Sequence, residues 1–313
     1  MANSWKSDVS RYTSEIDKAI VQGSKTGMFA DNNFGAKFAG TKNVIIPEIT
    51  MSGMGNYVRV GNGLENEGYP KGNIATDYVT YTLNQDRSRQ LVFDAMDADE
   101  SGIANLAGKI TGEFTRNHII PEVDAYNLST LFGIATEKAH TNTVDTATDA
   151  GQKKAVTSFV DMITDVEEAV GFENEDLIAF VDKKMWNLLM NTDKFTRQIN
   201  VSNFKQGGVD MRVRDFNGVR LIRVDSTRMK SGYDFLDGNT IEDSGFKAKE
   251  DATSVRSLIL PKSVACFVKK LDELKVFTPK ENQNGNGYVI DFHMYYDLLV
   301  KKSRKGTIFA LHE

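Results

Sequence analysis

NVIIPEITMSGMGNYVRV (residues 43–60) and DYVTYTLNQDRSRQLVF (residues 77–93) flank the spacer GNGLENEGYPKGN (residues 61–73). Both flanks are rich in Val, Ile, Thr and Tyr. Tyr78, Thr80 and Thr82 alternate with Val79, Tyr81 and Leu83. β-Branched and aromatic residues suit a pleated surface, and period-two alternation gives a strand two unlike faces. The spacer is polar and glycine-rich, as the tip of a hairpin is. At 3.3 Å per residue the flanks predict a two-stranded ribbon about 50 Å long. A lone ribbon is marginal in water, so this one needs something outside the chain to lie on.

Downstream the period changes. Asp97-Ala98-Asp99-Glu100 is a variant of the capping box, with a carboxylate three residues after an aspartate cap. Ile103, Leu106, Ala107, Ile110 and Phe114 follow at spacings of three and four, and Val123, Tyr126 and Phe132 resume the pattern. Pro121 should bend or break the helix near residues 117–121. The reading is one long bent helix from 99 to 136. A polar loop, 137–151, leads to an amphipathic helix over 154–170 that Gly171 closes. A buried strand is expected at 176–181 and a short helix at 183–192. Asn217-Gly218 joins strands 209–216 and 219–224 as a tight hairpin. A long polar loop, 228–255, precedes strands at 257–268, 275–278, 288–300 and 307–311. This is an α+β chain without regular βαβ units.

Upstream, residues 1–42 read as an arm. Ser10 to Val21 carries Ile16 and Ile20 on one helical face, and Gly23 to Lys42 is rich in Gly, Asn, Lys and Phe. Such a segment has little to bury by itself, so it is either a loose terminus or an arm that orders on a neighbour.

Composition narrows the function. The chain has 313 residues, 40% hydrophobic and 26% charged, with a net charge of −5. It lacks the basic excess of a sequence-independent nucleic-acid binder. Its most basic run, Lys301-Lys302-Ser303-Arg304-Lys305, reads as a solvated turn. No stretch approaches the ~20 apolar residues of a membrane span, and the first 18 residues lack the apolar core of a secretion signal. The chain is expected to be made and kept in the cytosol, where the single Cys266 is a packed thiol.

Enzymatic signatures fail one by one. There is no G-x-S-x-G elbow and no phosphate loop. Gly53-Met54-Gly55 begins a dinucleotide pattern that no third glycine or helix completes. His118, His140, His293 and His312 have no metal-ligand spacing. Asp94, Asp97, Asp99 and Glu100 are explained by a helix N-terminus, which favours negative charge. The expectation is no enzyme, no cofactor and no metal.

What remains is charge on the ribbon and the long helix. Arg87 and Arg89 fall in the second ribbon flank, and Glu113 and Arg116 lie three apart on the helix. Such charges usually face solvent, but they would pair between subunits if the ribbon lay on a neighbour's helix.

Several ordered motifs carry a resemblance. Ile46-Pro47-Glu48, Asn84-Gln85-Asp86-Arg87, Phe93-Asp94, Met96-Asp97-Ala98-Asp99-Glu100, Gly112-Glu113-Phe114-Thr115-Arg116 and Ile120-Pro121-Glu122-Val123-Asp124-Ala125-Tyr126 follow one another. Phe277-Thr278-Pro279-Lys280-Glu281-Asn282-Gln283 and Tyr295-Tyr296-Asp297 come later. Together, over residues 40–135 and 175–312, the chain resembles the tailed-bacteriophage major capsid protein family, whose fold encapsulin nanocompartments share. The resemblance implies an N-terminal arm (1–42), an extended two-stranded loop (43–93) and a peripheral domain with a spine helix (94–137). It further implies an axial domain (138–270) and C-terminal strands returning to the peripheral domain (271–313).

It implies hexamers and pentamers in an icosahedral shell around double-stranded DNA, held without sequence-specific contact. Portal and a separate scaffolding protein would be partners, with no membrane involved. The shell would assemble in the host cytoplasm and end as the virion capsid. Tyr57, Arg59, Glu65, Glu67, Tyr69, Lys71, Arg87, Arg89, Glu113 and Arg116 become candidate intersubunit contacts. The rival readings are an encapsulin-type compartment, an enzyme with an unrecognised site, and a phage tail or head-completion protein that forms open rings or tubes.

Overall fold

The computed structural model describes residues 23–32, 34–40, 42–57, 69–96, 106–171, 176–191, 199–206, 209–216, 218–238, 240, 243–283 and 285–313. They fall into two compact units, residues 33–84 and the remainder. The amphipathic stretch 10–21, the capping group 97–100, and Arg59, Glu65 and Glu67 lie outside the described residues.

The smaller unit is an antiparallel sheet ordered β1-β2-β3, with β1 at Lys37–Ala39, β2 at Asn43–Met51 and β3 at Ile74–Thr82. Its register sets Ile46 opposite Val79 and Met51 opposite Ile74. Opposed residues share a face. On one face Val44 and Ile46 are buried; on the other, Ile49, Met51, Ile74 and Tyr78 are 61–71% exposed.

The ribbon is shorter than the sequence suggests. Its long strands have nine residues each, about 30 Å. The second flank divides at Leu83-Asn84, and Gln85–Asp94 forms β4 in a different sheet of the larger unit. The reason is burial: Leu91 and Phe93 on β4 pack on that unit's core, which a ribbon does not possess.

In the larger unit, β4 is followed by α1 (Leu106–Phe114), a π turn (Thr115–Ile119) and α2 (Ile120–Glu137). The helix is continuous, and the disturbance expected at Pro121 takes the form of this π turn. Pro121 sits in the first turn of α2, where a missing N–H costs little. The wider turn before it accommodates the ring. Next come β5 (Thr141–Thr143), α3 (Asp149–Val170), β6 (Leu177–Asp182) and α4 (Lys183–Asn191). Thr148 caps α3, and Gly171 ends it at φ +87°. α3 begins five residues earlier than the apolar periodicity indicated, because the cap and not the first apolar residue starts it.

β7 (Ile199–Gln206), β8 (Val209–Phe216) and β9 (Val219–Val224) follow. Phe216 pairs with Val219 across a turn that contains Gly218 at φ +83°. The expected polar loop 228–255 instead holds a hairpin, β10 (Tyr233–Phe235) with β11 (Phe246–Ala248). Tyr233 closes its base, donating from its hydroxyl to Thr227 O at 2.8 Å and accepting from Lys230 N at 3.0 Å. The strand expected over 257–268 is two strands, β12 (Val255–Pro261) and β13 (Ala265–Phe277). Pro261 donates no ladder bond, and a 3-10 turn at Lys262–Val264 separates them. β14 (Gly287–Val300) and β15 (Phe309–His312) complete the chain.

Among the described residues a seven-stranded sheet runs β5-β15-β12-β6-β9-β8-β7, and a narrow sheet runs β13-β14-β4. The C-terminal strands thus serve both sheets. β6 is buried throughout because both faces of the large sheet are covered. Ile178 and Phe180 join a core with α2 and the narrow sheet; Leu177, Ala179 and Val181 join one with α3 and α4.

Part of the expected arm is core. Ser24, Thr26, Met28 and Phe29 are buried in the larger unit. Asp124 on α2, itself fully buried, accepts from Ser24 Oγ (2.5 Å), Lys25 N (3.0 Å), Thr26 N (3.0 Å) and Thr26 Oγ1 (2.9 Å). Arg228 supplies its counter-charge at 3.0 Å. The expectation that residues 1–42 find no burial within their own subunit is therefore corrected for 24–29.

Candidate functional site

Alternation along β4 turns Arg87 and Arg89 away from the solvent face that Asp86, Ser88 and Gln90 occupy. Arg87 donates from Nε to Glu122 Oε1 at 2.6 Å, from one terminal nitrogen to Leu236 O at 2.8 Å and from the other to Gly245 O at 3.0 Å. Its guanidinium also lies over the Phe235 ring, 5.8 Å from the centroid. Arg89 donates to Gly238 O at 3.1 Å. One planar fork therefore joins the narrow sheet, α2 and the β10–β11 loop. Both arginines, taken from sequence as intersubunit contacts on the ribbon, belong to β4 and are engaged within their own unit.

Glu113 and Arg116 pair with each other at 2.9 Å, both exposed, and Asn117 donates to the second Glu113 oxygen at 3.1 Å. On the ribbon, Tyr57 and Tyr69 meet edge to face at 5.2 Å; Tyr69 is 89% exposed, and Lys71 is exposed too.

A groove of about 410 Å³ runs alongside β4, between the π turn and residues 236–238 and 244–245. Leu91, Phe114, Phe292 and Met294 form its apolar wall, and Arg87 and Glu122 lie at its polar end. Tyr296 also lines it. That residue is fully buried, and among the described residues its hydroxyl has no hydrogen-bond partner. Burial pushes the Tyr296 phenol well above the ordinary tyrosine value, and the nearby Glu122 carboxylate pushes it further.

The histidines have structural surroundings. His293 lies 2.6 Å from Asp86, His140 stacks on Phe309 at 4.2 Å, and His118 and His312 lie against Phe114 and Phe132. Among the described residues no group of three His, Cys, Asp or Glu is placed to hold a metal, and no helix is long and apolar enough to cross a membrane.

Pattern reading missed Glu122, Asp124 and Tyr296. A signal existed: the two carboxylates interrupt the apolar positions Ile120, Val123, Ala125 and Leu128, where only a partnered charge is tolerated.

No family model matches the sequence, and comparison with curated proteins finds no relative. Solved structures do match. The cyanophage P-SCSP1u capsid superposes with a TM-score of 0.56 at 13% identity, covering 88% of this chain and 84% of that one. The mature capsid of bacteriophage PhiM1 gives 0.55 at 14%, covering 87% and 82%. A virus-like particle from Pyrococcus furiosus gives 0.51 at 7%, covering 96% and 98%. The fold is that of phage capsid proteins, shared with this archaeal particle.

Proposed function

We propose that this chain is the major capsid protein of a tailed phage. Copies associate as hexamers and pentamers and close into an icosahedral shell around double-stranded DNA, without sequence-specific contact. The reading gives the chain no catalytic role. Portal and a separate scaffolding protein take part, assembly runs in the host cytoplasm, and the product is the virion capsid. Residues 1–23 act as the arm, the 43–82 ribbon as the extended loop, α1 to α2 as the spine, and the large sheet as the axial domain.

The observation that carries this reading is the exposed ribbon face of Ile49, Met51, Ile74 and Tyr78 on a chain with a capsid fold. Apolar side chains in a row on a thin sheet mark a surface that another molecule covers. Head-to-tail contacts of that kind close into rings. Candidate contacts on the ribbon are Tyr57, Arg59, Glu65, Glu67, Tyr69 and Lys71, with Glu113 and Arg116 on the receiving helix.

The Pyrococcus furiosus particle, matched over nearly its whole length, favours a second reading: a protein compartment of the same fold. Electron microscopy of the protein expressed alone and with its neighbouring genes tests both. Closed shells that hold nuclease-protected DNA in the second case support the capsid. Shells with one co-purifying enzyme support the compartment. A monodisperse monomer at high concentration overturns both.

A further inference from the structure

We propose that the basic turn ahead of β15 and the end of α2 form one face that meets the phosphate backbone of the enclosed DNA; the inference rests on the shell reading above. In the sequence the run Lys301-Lys302-Ser303-Arg304-Lys305 stands alone. The fold brings more charge to it. Lys302–Thr307 form a 3-10 turn. Lys305 Nζ donates to Glu137 Oε2 at 3.1 Å, which sets the turn against the end of α2, where Lys138 adjoins. Arg304 donates from Nη1 to Ser263 Oγ at 3.3 Å, which sets it against the Lys262–Val264 turn as well. Three stretches far apart in the chain thus gather Lys138, Lys262, Lys301, Lys302, Arg304 and Lys305 around Glu137. Lys305, and less strongly Lys138, hold the Glu137 carboxyl below its ordinary value, so it stays ionised and offsets only one of these cations. Two more carboxylates adjoin: Asp31 on the 27–31 turn, and Asp176, which is paired with Arg220 at 3.0 Å. The chain as a whole has the opposite balance, with a net charge of −5.

Like charges gathered by folding repel one another, and a bound polyanion removes that repulsion. The kind of polyanion follows from what the face lacks. Lys138 and Lys302 are exposed, yet among the described residues none of the exposed large apolar side chains lies on the end of α2 or on either turn. A protein partner needs apolar anchors at the centre of its contact, whereas a phosphate backbone needs only cations. Lysine, a point charge on a flexible stem, suits contacts without fixed geometry. One basic face on an acidic chain holds duplex weakly and at any register, as contact without sequence specificity requires.

Filter binding of a duplex of about 200 base pairs, between about 50 and 200 mM salt, tests the proposal. The full-length wild type, kept below its assembly concentration, is compared with Lys138→Gln, Lys302→Gln and their double variant. Both sites are exposed, so the variants should fold normally. A Lys183→Gln, Lys184→Gln variant on α4 removes equal charge at another exposed place and serves as the control. The wild type should bind two unrelated duplex sequences equally. The Lys138→Gln, Lys302→Gln variant should bind roughly tenfold more weakly, and its slope of log affinity against log salt should be shallower by about two. The control should match the wild type. Closed wild-type shells should leave added duplex unbound, because the face then lines the cavity.

The proposal is overturned if the wild-type subunit ignores the duplex, if the double variant keeps its affinity and slope, or if the control loses as much. Closed shells that bind added duplex put the face outside and overturn it too. Tighter binding of polyglutamate than of duplex at equal charge makes the face a protein contact, with the same result. Closed shells built from a subunit without DNA affinity leave the shell reading standing and remove this inference alone. A wild type that forms no shells removes the shell reading itself, and this inference with it.

Discussion

Arg87 of β4 and Glu122 of α2 meet at 2.6 Å, with side chains only 24% and 13% exposed. The pair ties a strand to a helix, and the same guanidinium holds two carbonyls of the β10–β11 loop. Replacing Arg87 with Met keeps much of the stem but removes this donor from the largely buried Glu122 and from Leu236 O, while Gly245 O keeps its bond from Leu236 N. The subunit should lose about 3 kcal/mol, measured as a shift in the urea midpoint. Arg87→Lys should recover only part of it, because an ammonium cannot reproduce the planar fork.

Asp124 gathers four hydrogen bonds from residues 24–26 and the charge of Arg228. Asp124→Ala removes them all and leaves Arg228 unpaired beside the core. A loss of about 3–5 kcal/mol is expected. The Ser24–Phe29 segment should also detach first, so trypsin should cut after Lys25 in the variant and spare the native protein under matched conditions.

Ile49 and Met51 stand exposed on the ribbon. Changing either to Ser should leave the subunit's stability within about 0.5 kcal/mol. Shell formation should nevertheless fail or demand a much higher concentration, seen by sedimentation. Unimpaired shells from the Ile49→Ser, Met51→Ser double variant would count against the ribbon as an assembly surface.

Tyr233 and Tyr296 are both pushed above the ordinary tyrosine value of 10.0, chiefly by burial. In the unfolded chain both hydroxyls ionise near that value, while in the folded protein they remain protonated. Their contribution is therefore intact below about pH 10 and declines as pH rises beyond it. Each should add a slope of about 1.4 kcal/mol per pH unit to the alkaline loss of stability. Urea titrations between pH 9 and 12 should show it, and Tyr233→Phe should remove one proton's share.

Much of this architecture was legible in the chain. Apolar spacing placed the long helix, Gly171 ended α3, and Asn217-Gly218 marked its hairpin, because each is a local rule acting on local residues. The division of the second ribbon flank was not legible. Tyr78–Thr82 and Gln85–Phe93 alternate alike, and only the distant β14 decides that Leu91 and Phe93 leave the ribbon. The same limit hid the roles of Arg87 and Asp124, whose partners lie from 35 to some 150 residues away along the chain. On the ribbon, exposure of Tyr69 and Lys71 follows from the polar, glycine-rich spacer around them, whereas the groove beside β4 arises only when four separate stretches converge.

Gln90 on β4 bonds Asp291 on β14, a sequence separation of 201. Closing so wide a span costs chain entropy before any contact rewards it, so the narrow sheet should form late and slowly. Until β14 is synthesised and docks, β4 has an unmatched edge in a cell making many copies at once. The same pairing that completes the subunit thus governs its yield: expression at lower temperature or slower rate should raise the soluble fraction more than any change to the finished surface.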